Sequence, residues 1–187
     1  MTRIYIRHAR KAYKNGQSYN FKHDPGIIDN SLNSIYQCCA QLIKLYGLPS
    51  VIICSPYRRT RETAFEMKKY LDNLYNIILP IPIYCDTNIS EYLGNHANDK
   101  LDVTPETIIY KPPHPEKWKQ FNIRISTHNK NMKYLDDIRE SVWFITHGLI
   151  VSSLAKNYDL NVRNISPLGS LIIQQCKASY IPMQQSG

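Results

Sequence analysis

The sequence predicts an α/β protein, a three-layer α/β/α sandwich around a mostly parallel central sheet. Two observations carry that expectation. Five short β-prone apolar runs occur along the chain, "RIYI", "VIIC", "IPIYC", "VWFIT" and "LIIQQC". They are largely unalternating, the pattern of strands buried on both faces. Between them apolar residues recur at helical spacing, so strands and helices alternate. A chain of 187 residues, 43% of them hydrophobic, suits one domain over 1–187 and is short for two.

In chain order, "RIYI" is a first strand running into Arg7. Over 31–46, Leu32, Ile35, Tyr36, Cys39, Leu42, Ile43 and Tyr46 fall near the i, i+3, i+4, i+7 spacing of one helix face. Ser31 or Asp29 can cap its start, and Gly47 with Pro49 can end it. "VIIC" is the second strand. A second helix is predicted over 60–74, with Ala64, Met67 and Leu71 on one face. "IPIYC" follows as the third strand. The segment 94–117 then breaks the rhythm with Pro105, Pro112, Pro113 and Pro115. It reads as a lid or substrate loop, or as an insertion without order of its own. A third helix is placed at 130–139. "VWFIT" is the fourth strand, a fourth helix begins after Gly148, and "LIIQQC" is the last strand.

No stretch approaches the roughly 20 apolar residues of a membrane span, and "MTRIYIRH" lacks the apolar core of a signal peptide. A cytoplasmic protein without a membrane partner is expected. Five cysteines occur with no C-x-x-C pair and no zinc spacing, so buried free thiols are expected. The formal charge of +8 and the sequence pI of about 9.2 suit nucleic acid, an anionic membrane or a phosphorylated substrate. The basic residues are scattered from end to end rather than gathered on one helix face, which argues against nucleic acid. Their densest groups, 7–14 and 58–61, both lie beside strand ends.

Those strand ends carry the chemistry. Arg7 and His8 follow the first strand; "CSPYRRTRETA" takes the second strand through Ser55 and Pro56 to Arg59 at a helix start; "THG" takes the fourth strand through His147 into a helix at Gly148. In an open α/β sheet the carboxyl ends of the strands form the ligand crevice. Helix N-termini there add N–H donors and a positive dipole end. Two arginines, two histidines and helix N-termini at one crevice describe a phosphate site.

The motifs "RHA", "SPYRRTRETA", "ISEYLG" and "THG", in that order, resemble those of the histidine phosphatase superfamily, in its phosphoglycerate mutase-like branch. Four motifs in the right order and context are a specific signal. The resemblance implies a phosphomonoesterase acting through a phosphohistidine, with neither metal nor cofactor. The substrate would be a phosphorylated small molecule or phosphoprotein. His8 matches the nucleophile, Arg7 and Arg59 the arginines that hold phosphoryl oxygens, His147 the second pocket histidine and Glu91 the acid that protonates the leaving oxygen. Arg58 does not align, and Thr63 matches a threonine of structural character. The chemistry suits these types: a neutral imidazole is a good nucleophile near pH 7, the arginines keep it unprotonated, and guanidinium forks match phosphoryl oxygens.

Two departures bear on activity. Ala9 stands where the superfamily has glycine, and alanine fits only if the backbone keeps φ negative. Arg10, followed by Lys11, stands where the mutases carry glutamate, which argues against a mutase and suggests a larger or more anionic substrate. A phosphoglycerate-type mutase and a non-catalytic phosphate-binding or scaffold protein remain the alternatives. Arg10, Lys11, Asn15, Tyr92 and Gly148 are the candidates for substrate binding, and Tyr57 is a second tyrosine flanking the site. His23, His96, His114 and His128 lie in polar segments, so surface positions are expected, with His96 and His114 within reach of substrate if 94–117 is a lid.

Overall fold

Among the described residues six strands form one sheet: β1 (Thr2–Arg7), β2 (Pro49–Cys54), β3 (Ile83–Cys85), β4 (Ser141–Thr146), β5 (Ser170–Gln174) and β6 (Lys177–Ile181). Among the same residues four helices cover it: α1 (Leu32–Tyr46), α2 (Arg58–Tyr75), α3 (Trp118–Lys133) and α4 (Gly148–Lys156). The structure is a computed structural model that describes residues 1–12, 25–75, 81–92, 116–133 and 140–183. Asn15, His23, His96, His114 and nearly all of 94–117 lie outside the described residues.

The strand order is β3-β2-β4-β1-β5-β6. The first four run parallel, whereas β5 is antiparallel to β1 and β6 to β5. Burial explains the unalternating runs of β1 and β4, whereas β3, at the sheet edge, is half-buried to exposed and corrects the expectation for "IPIYC". Every residue of β4 is buried, as are the four central residues of β1. On one face Ile4, Ile6, Ile52, Trp143 and Ile145 pack against Ile35, Cys39 and Leu42 of α1 and Ala64, Met67 and Leu71 of α2. On the other, Tyr5, Val142 and Phe144 meet Phe121 and Ile125 of α3 and Ile150, Val151 and Leu154 of α4. Each such side chain, fully buried, stabilises the fold by about 1.5–3 kcal/mol. The predicted three layers and mostly parallel sheet are therefore present.

α1 ends at Gly47, whose φ of 77° and N–H bond to the Ile43 carbonyl close the helix as only glycine does without strain. No helix among the described residues is long and apolar enough to cross a membrane.

The third helix corrects the sequence reading at its start: it begins at Trp118 and runs to Lys133, whereas the sequence placed its start at 130, and 134–139 lie outside the described residues. Only Phe121, Ile125, His128 and Asn129 of it are buried, and the two polar members hide that face from a hydrophobicity pattern. The last predicted strand ends early, at Gln174; Gln175 and Cys176 take positive φ (45° and 64°) and turn the chain into β6. Neither residue announces such a turn. Cys176 is consequently exposed, and so is Cys85 at the sheet edge, whereas Cys38, Cys39 and Cys54 are buried. His128 is buried, not superficial: its ring faces the Tyr5 hydroxyl through Nε2 at 3.0 Å and the Asp86 carboxylate through Nδ1 at 3.4 Å.

Candidate active site

Four parallel neighbours, β3, β2, β4 and β1, deliver their carboxyl ends side by side. β1 ends at Arg7, and His8 continues the ladder through its amide to the Thr146 carbonyl at 2.9 Å. β4 ends in extended His147 before α4. β2 ends before Ser55, whose amide bonds Ile145 at 3.0 Å, and Arg59 lies in the first turn of α2. Beyond β3 a 3₁₀ turn over Thr87–Ile89 leads to Ser90 and Glu91. Strand order alone thus brings Arg7, His8, Arg59, Glu91 and His147 to one end of the sheet.

His8 is 2% exposed. Its Nδ1 lies 2.7 Å from the Ala9 carbonyl oxygen. A carbonyl only accepts, so Nδ1 carries the hydrogen and Nε2 keeps its lone pair. The His8 and His147 rings are 5.4 Å apart, edge to face. On His147, Nδ1 lies 3.3 Å from Arg59 Nη2, which only donates. The remaining hydrogen is therefore on Nε2 and is donated to Ser55 Oγ at 2.8 Å. Both imidazoles are held well below the ordinary histidine pKa of 6.5, chiefly because burial disfavours the cation and then because the Arg59 charge opposes it.

Arg59 is 3% exposed and hydrogen-bonds the Glu91 carboxylate through Nη2. The same carboxylate lies 3.6 Å from His147 Nδ1. The Tyr57 ring supports Arg59 from beneath, 4.6 Å from the guanidinium carbon, and meets the His147 ring edge to face at 4.9 Å. Arg7 donates through Nη1 to the Ile165 carbonyl. Gly148 lies against Arg7: a Cβ there would sit 3.4 Å from its Cδ and Nε.

Lys11 adds its charge to the field that opposes protonation of His8 and His147, whereas Arg10 is exposed on the same loop. Tyr92 packs with Trp118 and Phe121 at centroid distances of 5.2 Å each. Arg58 points away and pairs with Glu62 at 2.7 Å. Ala9 is not among the described residues with positive φ, so its methyl group carries no backbone strain.

Sequence reasoning left Ser55 and the supports of the Glu91 turn unassigned. Ser55 stands inside a motif already singled out, so its position was the available signal. The supports, Arg124 and Glu116, are ordinary charged residues with none.

No protein-family model matches the chain, and no curated protein matches its sequence. The fold is nevertheless the phosphoglycerate mutase-like one of several solved structures. Among solved structures, phosphoglycerate mutase from Bacillus anthracis strain Sterne matches with a TM-score of 0.66 at 15% identity, over 97% of this chain and 91% of that one. A mycobacterial glucosyl-3-phosphoglycerate phosphatase gives 0.62 at 17%, over 91% and 88%. A mycobacterial hydrolase gives 0.63 at 15%, over 99% of each chain.

Proposed function

We propose that the protein is a metal-independent phosphomonoesterase of the histidine phosphatase superfamily, using His8 as nucleophile. The observation that carries this reading is the tautomer of His8: Nδ1–H is committed to the Ala9 carbonyl, which leaves Nε2 free to attack. Nε2 forms a bond to phosphorus as the P–O bond to the leaving group breaks, and Arg7 and Arg59 balance the charge on the phosphoryl oxygens. Glu91, beside Arg59, gives a proton to the departing oxygen. As a carboxylate it then takes a proton from the water that attacks phosphorus and frees His8. His147, neutral and donating to Ser55, keeps Nδ1 turned toward Arg59 and Glu91.

The fold neighbours include a phosphatase and a mutase, and Arg10 in place of the mutase glutamate favours hydrolysis. The test is phosphate release from a panel of alkyl and aryl phosphates, with rapid quenching to trap phosphate on His8. Turnover by wild type, an acid-labile adduct on His8 and no turnover by His8→Ala are expected. A fully active His8→Ala enzyme, or an adduct on another residue, would refute the mechanism. Phosphate binding without turnover by wild type would make the protein a non-catalytic member of the fold.

A further inference from the structure

β2 and β3 are parallel neighbours in which Cys54 and Cys85 are register partners, so both side chains project from the same face. Their sulfurs are 3.7 Å apart. Adjacent strands hold such Cα atoms about 5 Å apart, inside the window a disulfide requires. Cys54 is buried at 1% exposure and Cys85 is exposed. The flanking residues matter to the pocket. Ser55 follows Cys54 and holds His147. Asp86 follows Cys85, donates its amide to the Cys54 carbonyl at 2.8 Å, and opens the turn that leads to Glu91.

We propose that Cys54 and Cys85 are a peroxide-oxidisable thiol pair whose closure to a disulfide slows the reaction at the adjoining site. The Cys85 thiol is brought down to about 7 by the hydrogen bond from Cys54, with the Arg61 charge assisting, so it supplies the thiolate. That thiolate attacks hydrogen peroxide; the O–O bond breaks, hydroxide leaves and Cys85 becomes a sulfenic acid. The Cys54 sulfur then attacks the Cys85 sulfur, and the expelled hydroxide takes the Cys54 proton as water. In sum, two thiols and one peroxide give one disulfide and two waters.

The slowing rests on the proposed phosphatase function; the cross-link does not. The experiment is a peroxide titration of the whole protein, read by alkylation and peptide mass spectrometry and, in parallel, by phosphate release. A Cys54–Cys85 cross-linked peptide is expected, formed before Cys176 is oxidised. Turnover should fall at least about tenfold, as a small displacement of reacting groups produces, and return with dithiothreitol. Cys85→Ser should stay active and insensitive to peroxide. Both thiols remaining alkylatable, or a cross-linked protein of unchanged activity, would overturn the proposal. A wild-type protein that forms the cross-link but never hydrolyses any phosphate would instead overturn the proposed function.

A second inference stands on different contacts. The Arg124 side chain is 13% exposed and grips Glu116 with both ends of its fork, at 2.9 and 2.8 Å. Its Nη1 donates to the carbonyls of Asn88 at 2.7 Å and Ser90 at 3.1 Å. Ser90 immediately precedes Glu91, and Tyr92 immediately follows it into the aromatic contacts with α3. α3 therefore grips the chain on both sides of Glu91. We infer that Arg124 is a positioning residue for Glu91, again on the proposed reading of the site.

Arg124→Lys, which cannot make the fork, should lose about tenfold more rate on an alkyl phosphate than on p-nitrophenyl phosphate, whose leaving group needs no proton. Adding Arg124→Lys to Glu91→Gln should cost nothing further on the alkyl substrate. Equal losses on both substrates, or additive losses in the double variant, would make Arg124 merely structural. If Glu91→Gln alone shows no leaving-group dependence, the proposed role of Glu91 fails instead.

Discussion

The Thr63 hydroxyl accepts the backbone N–H of Ala9 at 3.1 Å and donates its own hydrogen to the Arg59 carbonyl at 2.7 Å. One buried side chain on α2 thus ties the loop after His8 to the helix turn that bears Arg59. Thr63→Val keeps the shape and orphans the Ala9 amide, a loss of about 1–3 kcal/mol. Thermal denaturation should show it, with a fall in kcat that Thr63→Ser restores. Unchanged melting and turnover in Thr63→Val would mean that the tie has no energetic content.

Glu91 and Arg59 touch each other, yet the proposed reaction has them act on different atoms. Glu91→Gln should strongly slow phosphorylation of His8 by an alkyl phosphate and slow it less with p-nitrophenyl phosphate. Arg59→Ala removes charge stabilisation from the phosphoryl group itself, so both substrates should lose about 10²–10³-fold. Pre-steady-state rates are the measurement, because in the proposed mechanism Glu91 also assists the later attack of water.

Divalent ions should be dispensable. In the proposed reaction Arg7 and Arg59 supply the positive charge that a metal supplies in metal-dependent phosphoryl transfer. Phosphate release measured after dialysis against EDTA should equal the untreated rate. Abolition by EDTA with restoration by magnesium or zinc would contradict the proposed chemistry.

Stability should fall on acidification because of His8 and His147. Both are depressed well below 6.5 in the folded protein and titrate near 6.5 when unfolded. The unfolded chain therefore binds more protons between those values. The contribution is complete above the unfolded pKa and is lost as pH falls through it, at up to about 1.4 kcal/mol per pH unit for each histidine. Melting temperatures from pH 8 to pH 5 should decline, and more gently in His147→Asn. An equal slope in that variant would assign the acid sensitivity to other groups.

Much of this was legible in the chain. The run "VWFIT" announced a doubly buried strand because nearly every residue is apolar. The strand-end motifs announced their residues because chemistry there restricts residue type. α3 was misplaced because two of its four buried residues, His128 and Asn129, are polar and satisfied by partners distant in sequence, Tyr5 and Arg3 among them. The β5–β6 turn was missed because non-glycine residues adopt positive φ there, at a cost that the paired strands offset. Arg124 gave no sign because its meaning lies in carbonyls some 35 residues upstream.

β1 lies between β4 and β5, with Thr2–Arg7 in register against Ser141–Thr146 on one side and Ser170–Gln174 on the other. β1 has no neighbouring strand until β4 and β5, far along the chain, have been made. The long loop this closes makes for slow, non-local folding. It also means that a chain cut short before residue 170 leaves one edge of β1 bare. The end of that strand, where His8 stands, is then held on the β4 side alone.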